Sequence, residues 1–301
     1  MIYVVLASML LVIVGLMVWL KPLWIMNYLL SPRVSSTRIK DIRYGEDPRQ
    51  QFDVYLPDNI DRETPCILFV HGGAWDTGHK DEYAFVGRAM TELGCICIIP
   101  TYRLYPSVQF PHFIDDIAMA IMKLPSLLSE HARLISNNGI ILMGHSAGAH
   151  TGAMLLSNPS YLAQSSVRIS GFIGLAGPYD LPLDDPLVVG KFDGVELHDV
   201  SEQHIDEGHE HNAHDANPIN WVGPTAPPIL LLHGKDDVTV GPYHSERFAK
   251  RLAQLGIKHQ LIMLEKVNHR VLVGGLCKGL RWLTPAYEHI SDFIRQHDSR
   301  P

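Results

Sequence analysis

The apolar run Ile140-Ile141-Leu142-Met143 breaks off into Gly144-His145-Ser146-Ala147-Gly148, and no other stretch constrains the fold of this chain as tightly. An apolar run followed by G-x-S-x-G reads as a strand that turns sharply and continues as a helix. The glycines two before and two after Ser146 carry no Cβ, so strand and helix can approach closely. Small residues follow at Ala149, Gly152 and Ala153, as a helix laid tightly on a sheet requires. A serine hydroxyl is a poor nucleophile until geometry and a neighbouring base activate it. A turn this sharp lifts the side chain off the sheet. It also aims the first N–H groups of the helix at the bond under attack.

The rest of the chain supplies a frame for that turn. With 301 residues, 46% of them hydrophobic, it can bury one large α/β core. Strands are predicted at Phe52–Leu56, Cys66–His71, Ile96–Thr101, Ile140–Gly144, Gly171–Ala176, Ile229–His233 and Gln260–Leu264. Helices are predicted at Glu82–Leu93, Phe113–Leu124, Ala147–Ser157, Ser245–Leu255 and Pro285–Gln296. Continuous β-branched runs separated by helices predict a mostly parallel sheet covered on both faces. Leu181–Pro228 breaks the rhythm with prolines, acids and histidines, and a loop of that length is expected to be functional. It is predicted to cap the site.

A serine nucleophile needs an orienting acid, a base and an oxyanion hole. The acid is expected after the strand Ile229–Leu232, in His233-Gly234-Lys235-Asp236-Asp237-Val238. Two aspartates compete there. The spacing H-G-x-x-D-x-x-V selects Asp237, which leaves Asp236 as a turn residue. His269, just past the last strand, has the order and position of a base. His71, His145 and His233 have the wrong order or a better structural explanation. Gly72 and Gly73, in the run His71–Trp75 after an early strand, and the N–H of Ala147 are the oxyanion candidates. Trp75 and His145 are the candidate substrate-contacting residues beside them.

The N-terminus reads as a separate object. Ile2–Leu20 carries no charge and is long enough to cross a bilayer as a helix. Trp19, Trp24 and Tyr28 cluster at its end, with Lys21 at the boundary, as a membrane interface favours. With no basic n-region and no A-x-A site, the run is expected to stay as an anchor. Lys21, Arg33, Arg38 and Lys40 follow it, which puts the following domain in the cytoplasm by the positive-inside rule. Cys66, Cys95, Cys97 and Cys277 fall mostly in apolar runs, as buried thiols in a reducing compartment would. The chain thus divides into residues 1–30 (anchor and interfacial segment), 31–50 (connector) and 51–301 (the α/β domain, with its cap at about 181–228).

Composition excludes some classes. A net charge of −7 without a basic patch argues against nucleic-acid binding. His198, His204, His209, His211 and His214 lie among acids, but without a ligand-spacing motif, so no metal is expected.

HGGAW, TYRLYPSVQFPHFIDD, GHSAGAH, HGKDDVTV and the final NH occur in this order from about Phe52 to Gln296. Together they resemble the α/β-hydrolase superfamily, in the esterase branch with hormone-sensitive-lipase-like esterases, prenylcysteine methylesterases and kynurenine formamidases. The resemblance implies Ser146 as nucleophile, Asp237 as acid, His269 as base, and donors at Gly72, Gly73 and Ala147. It implies hydrolysis of a small-molecule ester through an acyl-enzyme, with no cofactor. An arylformamidase-type amide hydrolase follows the same logic, and a non-catalytic binding module on this fold is the third reading. It gives Arg103 and Asp116 structural roles. Ala74 replaces a common third glycine, His145 a common aspartate before the nucleophile, and Thr101 an aspartate before Tyr-Arg.

Overall fold

Strands β1 (Thr37–Arg43), β2 (Gln51–Leu56), β3 (Cys66–Val70), β4 (Ile96–Pro100), β5 (Ile140–His145), β6 (Ile169–Leu175), β7 (Ile229–Gly234) and β8 (His259–Leu264) form one sheet. Their order is β1-β2-β4-β3-β5-β6-β7-β8. β2 pairs antiparallel with β1 and β4, and the pairings from β4 across to β8 are parallel. The helices are α1 (Ala84–Glu92), α2 (His112–Leu127), α3 (Ala147–Ser157), α4 (Pro218–Trp221), α5 (Tyr243–Gln254), α6 (His269–Gly274) and α7 (Ala286–Gln296). The computed structural model describes residues 26–31, 37–61, 63–128, 139–186, 188–195 and 215–296.

The central strands are buried along their whole length because the sheet is covered on both sides. Their period of two divides the apolar side chains between two cores. Leu68, Val70, Ile96 and Ile98 face one core, with residues of α2, α3 and α5. Ile67, Phe69, Cys97 and Ile99 face the other, with residues of α1, α6 and α7. Each Ile, Leu or Phe so buried contributes roughly 1.5–3 kcal/mol. All four cysteines are buried, and none forms a disulfide among the described residues.

One strand escaped the pattern. β1 lies inside the stretch expected to be a connector. It is an edge strand, and charged residues are what keep such an edge from pairing with another chain. Its register also shifts between Ile39 and Ile42, so both isoleucines pack on the core although they are three apart. That irregularity, with Asp41 at φ 59°, erases the alternation by which a strand is recognised. The charges of β1 are organised: Arg38 pairs with buried Asp53 and with Asp81, and Lys80 bridges Asp41 and Asp53.

The N-terminal boundary also differs. Met26–Leu30 forms a single π-helical turn that is part of the domain, not of an interfacial segment. Asn27 Nδ2 donates to the carbonyls of Asp81 and Glu82, and its Oδ1 accepts from Phe85 N–H at the start of α1. Arg88 donates to Asn27 O and Ser31 Oγ, Met26 joins the second core, and the Cys277 thiol donates to Met26 O. We call this segment, 26–31, the clasp. The expected span Ile2–Leu20 lies outside the described residues. Among the described residues no helix is long and apolar enough to cross a membrane.

The described parts of the insertion after β6 are turns and the short α4, and they pack down on the domain. Leu181 N–H donates to Asn217 Oδ1, and Asn217 Nδ2 to Leu181 O. His150 Nε2 lies 2.7 Å from Ala216 O, and Lys191 pairs with Asp76 at 2.6 Å. The histidines from His198 to His214 lie outside the described residues.

Candidate active site

Ser146 joins β5 to α3 with φ 56° and ψ −124°, a backbone region that a non-glycine residue adopts only under strain of order 1–3 kcal/mol. The surroundings leave it no alternative. Its N–H donates to Leu175 O at 2.9 Å. A Cβ on Gly148 would stand 2.1 Å from Val70 O, and one on Gly144 would stand 2.3 Å from Gly148 O. Both glycines are therefore required by the closeness of β5, α3 and β3. α3 then runs buried on nearly every side, where Gly152 makes room for Phe172.

The loop after β3 leans on this turn. A Cβ on Gly72 would come within 3.1 Å of Ser146 Cβ and 2.9 Å of His145 O. Gly73 has φ +123°, and its carbonyl accepts from Asp76 and Thr77 N–H, closing the loop on itself. His71 holds the loop from beneath. Its Nδ1 donates to Gly72 O at 2.8 Å, and its ring stacks against Tyr83 and Tyr102. The Tyr102 hydroxyl donates to His71 O. Burial pushes the His71 imidazole down to about 3, so it braces the loop as a neutral ring. The N–H of Ala147, first residue of α3, belongs to the helix's first turn, where donors have no partner within the helix.

The candidate acid and base, Asp237 and His269, follow β7 and β8 at their carboxyl ends, the end where α/β sheets gather their functional groups. His269 Nδ1 lies 2.7 Å from Asp237 Oδ2, across thirty-two residues of chain. Asp237 Oδ1 accepts from Thr239 and Val240 N–H, both at 2.9 Å. Of the two competing aspartates, Asp237 makes this contact and Asp236 is exposed. Burial works to raise the Asp237 pKa. Hydrogen bonds from His233, His269 and the Val240 N–H outweigh it and hold the carboxyl well below its ordinary range. An ionised Asp237 accepts the His269 Nδ1–H, which leaves Nε2 as the basic nitrogen. The two loops are also tied together: Asp236 N–H donates to Val267 O, and a Cβ on Gly234 would lie 2.0 Å from that oxygen.

Three supporting residues were not assigned these roles by sequence reasoning. His233 is fully buried, with Nδ1 2.7 Å from Ser245 Oγ and Nε2 2.9 Å from Val240 O and 3.4 Å from Asp237 Oδ2. Asn268 caps α6, its Oδ1 accepting from Arg270 and Val271 N–H. Asparagine directly before a short helix is a legible cap signal. His145 is the third. Its Nε2 donates to His269 O at 3.1 Å, and its ring lies 4.6 Å from the His269 ring. Burial pushes its pKa down to about 3, and the neighbouring His269 adds to the effect.

Trp75 is buried with its ring against Phe113, His150 and Phe192, so it forms a wall rather than an open contact surface. Asp116 is buried and accepts from Arg103 N–H, the Arg103 guanidinium and Gln50 Nε2, an arrangement remote in role from the Ser146 centre.

The BD-FAE family model matches residues 52–252. A probable isoprenylcysteine α-carbonyl methylesterase of Arabidopsis thaliana is 30% identical over 257 residues, covering 80% of this chain and 52% of that protein. A kynurenine formamidase of Danio rerio is 29% identical over 143 residues, covering 48% of this chain and 47% of that protein. The chain therefore spans about half the length of the curated relatives it matches. Among solved structures, a truncated carbohydrate esterase from gut microbiota superposes with a TM-score of 0.71 at 19% identity, over 90% of this chain and 100% of that one. The sheet order, the strained serine turn and the family match agree: the fold is that of the α/β-hydrolases, and the chain belongs to the BD-FAE family.

Proposed function

We propose that the chain hydrolyses carboxylic esters through an acyl-enzyme formed on Ser146. The observation that carries this reading is the 2.7 Å bond between His269 and Asp237, in a loop whose carbonyl is tied to His145, the residue before Ser146. In this reading His269 Nε2 takes the Ser146 proton as the oxygen attacks the ester carbonyl, and Asp237 holds the imidazole tautomer. The N–H groups of Gly72, Gly73 and Ala147 receive the oxyanion, each contributing about 3 kcal/mol. His269 returns the proton to the departing alcohol. A water then attacks the acyl-enzyme by the same route and frees the acid. The reaction uses no cofactor. Ser146→Ala is expected to abolish covalent labelling by a fluorophosphonate and to lower ester turnover by about 10⁴-fold or more. Labelling that survives the substitution overturns the assignment.

Amide hydrolysis on the same centre is a second reading, supported by the kynurenine formamidase similarity. Turnover of short p-nitrophenyl esters measured beside N-formyl aromatic amines separates the two. The reading extends to location: Ile2–Leu20 acts as a single-pass anchor with the domain on the cytoplasmic side, supported by nineteen uncharged residues and the basic residues after them. Release of the full chain from membranes by alkaline carbonate would sink that part.

A further inference from the structure

Resting on the acyl-enzyme reading above, we propose that residues 188–193 of the insertion form a strut for the loop that carries the oxyanion donors, with Lys191 as the positioning residue. The loop after β3 needs support from outside itself. Gly73, Ala74 and Trp75 stand in succession at φ 123°, 47° and 60°. Ala74 and Trp75 carry side chains, and such residues rarely adopt that region. A backbone of this kind persists where its surroundings over-determine it. Within the loop, Asp76 and Thr77 N–H both donate to Gly73 O, at 3.0 and 2.9 Å. These bonds close the loop and so fix where Gly73 sits and where its own N–H points.

Asp76 is the residue through which the loop can be held, and Lys191 holds it. Lys191 Nζ lies 2.6 Å from Asp76 Oδ2. Lys191 is 6% exposed, and a lysine is almost never so buried unless its charge is met. The next residue, Phe192, meets the Trp75 ring edge-on with centroids 4.9 Å apart. Two consecutive residues of the insertion thus grip two consecutive residues of the loop. The strut is itself braced. Phe110 N–H donates to Lys191 O at 2.9 Å, Gln109 Nε2 donates to Gly190 O at 2.8 Å, and the Phe110 ring stacks on Phe192. Gly190 has φ +78°, and a Cβ there would stand 3.1 Å from the Tyr105 hydroxyl. Tyr105 N–H in turn donates to Trp75 O at 2.9 Å. Strut, brace and loop therefore close on one another. Packing alone could be met by a methionine at 191. The ion pair adds direction: it fixes the Asp76 carboxylate, and the N–H of that same residue is on Gly73 O.

The test uses the full chain. Lys191→Met is expected to speed hydrogen exchange about tenfold in a peptide spanning residues 72–78, while peptides from β5 and α3 exchange as in the native chain. With p-nitrophenyl butyrate, kcat should fall by roughly 10- to 100-fold while KM stays nearly constant. Affinity for a trifluoromethyl ketone, whose adduct with Ser146 carries the same oxyanion, should fall by the same factor as kcat/KM. Lys191→Arg, which keeps the charge, is expected to recover most of the loss. Where Lys191→Met fails to fold, the double variant Asp76→Asn with Lys191→Met carries the same measurements, because it leaves neither charge without its partner. Unchanged exchange, a loss confined to KM, or equal turnover in the Met and Arg variants each overturns the proposal. A native chain without Ser146-dependent turnover would instead bring down the acyl-enzyme reading, and the strut's role with it.

Discussion

The serine turn and the acid–base loops lie at the same edge of the sheet but are held in different ways. Around Ser146 the restraint is steric: added carbons at Gly144 and Gly148 would collide with backbone at 2.3 and 2.1 Å. Around Asp237 and His269 the restraint is a set of hydrogen bonds between loops that follow different strands. Steric restraint is local and depends on a few small residues. Hydrogen-bonded restraint depends on distant parts of the chain arriving together, and it can be weakened without destroying the fold.

That contrast predicts which changes spare the fold. Asp237→Asn should lower kcat by about 10⁴-fold with little change in KM, because the amide favours the wrong imidazole tautomer while the loop survives. It should also change the acid limb of stability. A carboxyl whose folded pKa is depressed stabilises the fold above its ordinary value near 4 and loses that contribution as pH falls through the folded value. Chemical denaturation below pH 4 should therefore show a shallower loss for the Asn variant, and identical slopes would contradict the charge-stabilised loop. Gly148→Ala strikes the other region and should fail differently. Backbone must move, so the expected loss is about 3 kcal/mol of stability with activity falling in step, measurable by denaturant midpoint.

His145 is where the two regions touch. His145→Leu should lower kcat by roughly 10- to 100-fold with KM nearly unchanged, as expected when a base is misplaced by less than an ångström. His145→Gln, whose amide can still donate to His269 O, should recover most of the loss. No recovery would reduce His145 to a packing residue. The smallest effect is expected at Asn268→Ala, which removes the α6 cap for about 1 kcal/mol and should leave the serine's reactivity with a fluorophosphonate nearly intact.

The same contrast explains what could be read from sequence. The elbow was legible because its geometry is written in five adjacent residues. The strands from β3 to β7 were legible because burial on both faces demands nearly uninterrupted apolar runs. The meeting of Asp237 and His269 was legible from their chain order and their positions after strands. His145 was legible as a neighbour but not as a brace, since its partner is a backbone carbonyl 124 residues away and leaves no mark in side-chain chemistry. β1 was hidden by its bulge and its charges. The clasp was hidden because Asn27 satisfies backbone groups of a different segment, and an asparagine after an apolar run signals nothing by itself.

The thiol of Cys277 meets the carbonyl of Met26 across 251 residues, and that contact sets an order for biogenesis. A nascent chain cannot close this seam until Cys277 has left the ribosome, when most of the described domain has already been made. During that interval the second core is open along α6 and α7, which follow α1 in the chain by more than 170 residues. Nascent chains stalled before and after Cys277 should therefore differ sharply in resistance to protease, with the longer one alone giving a protected domain.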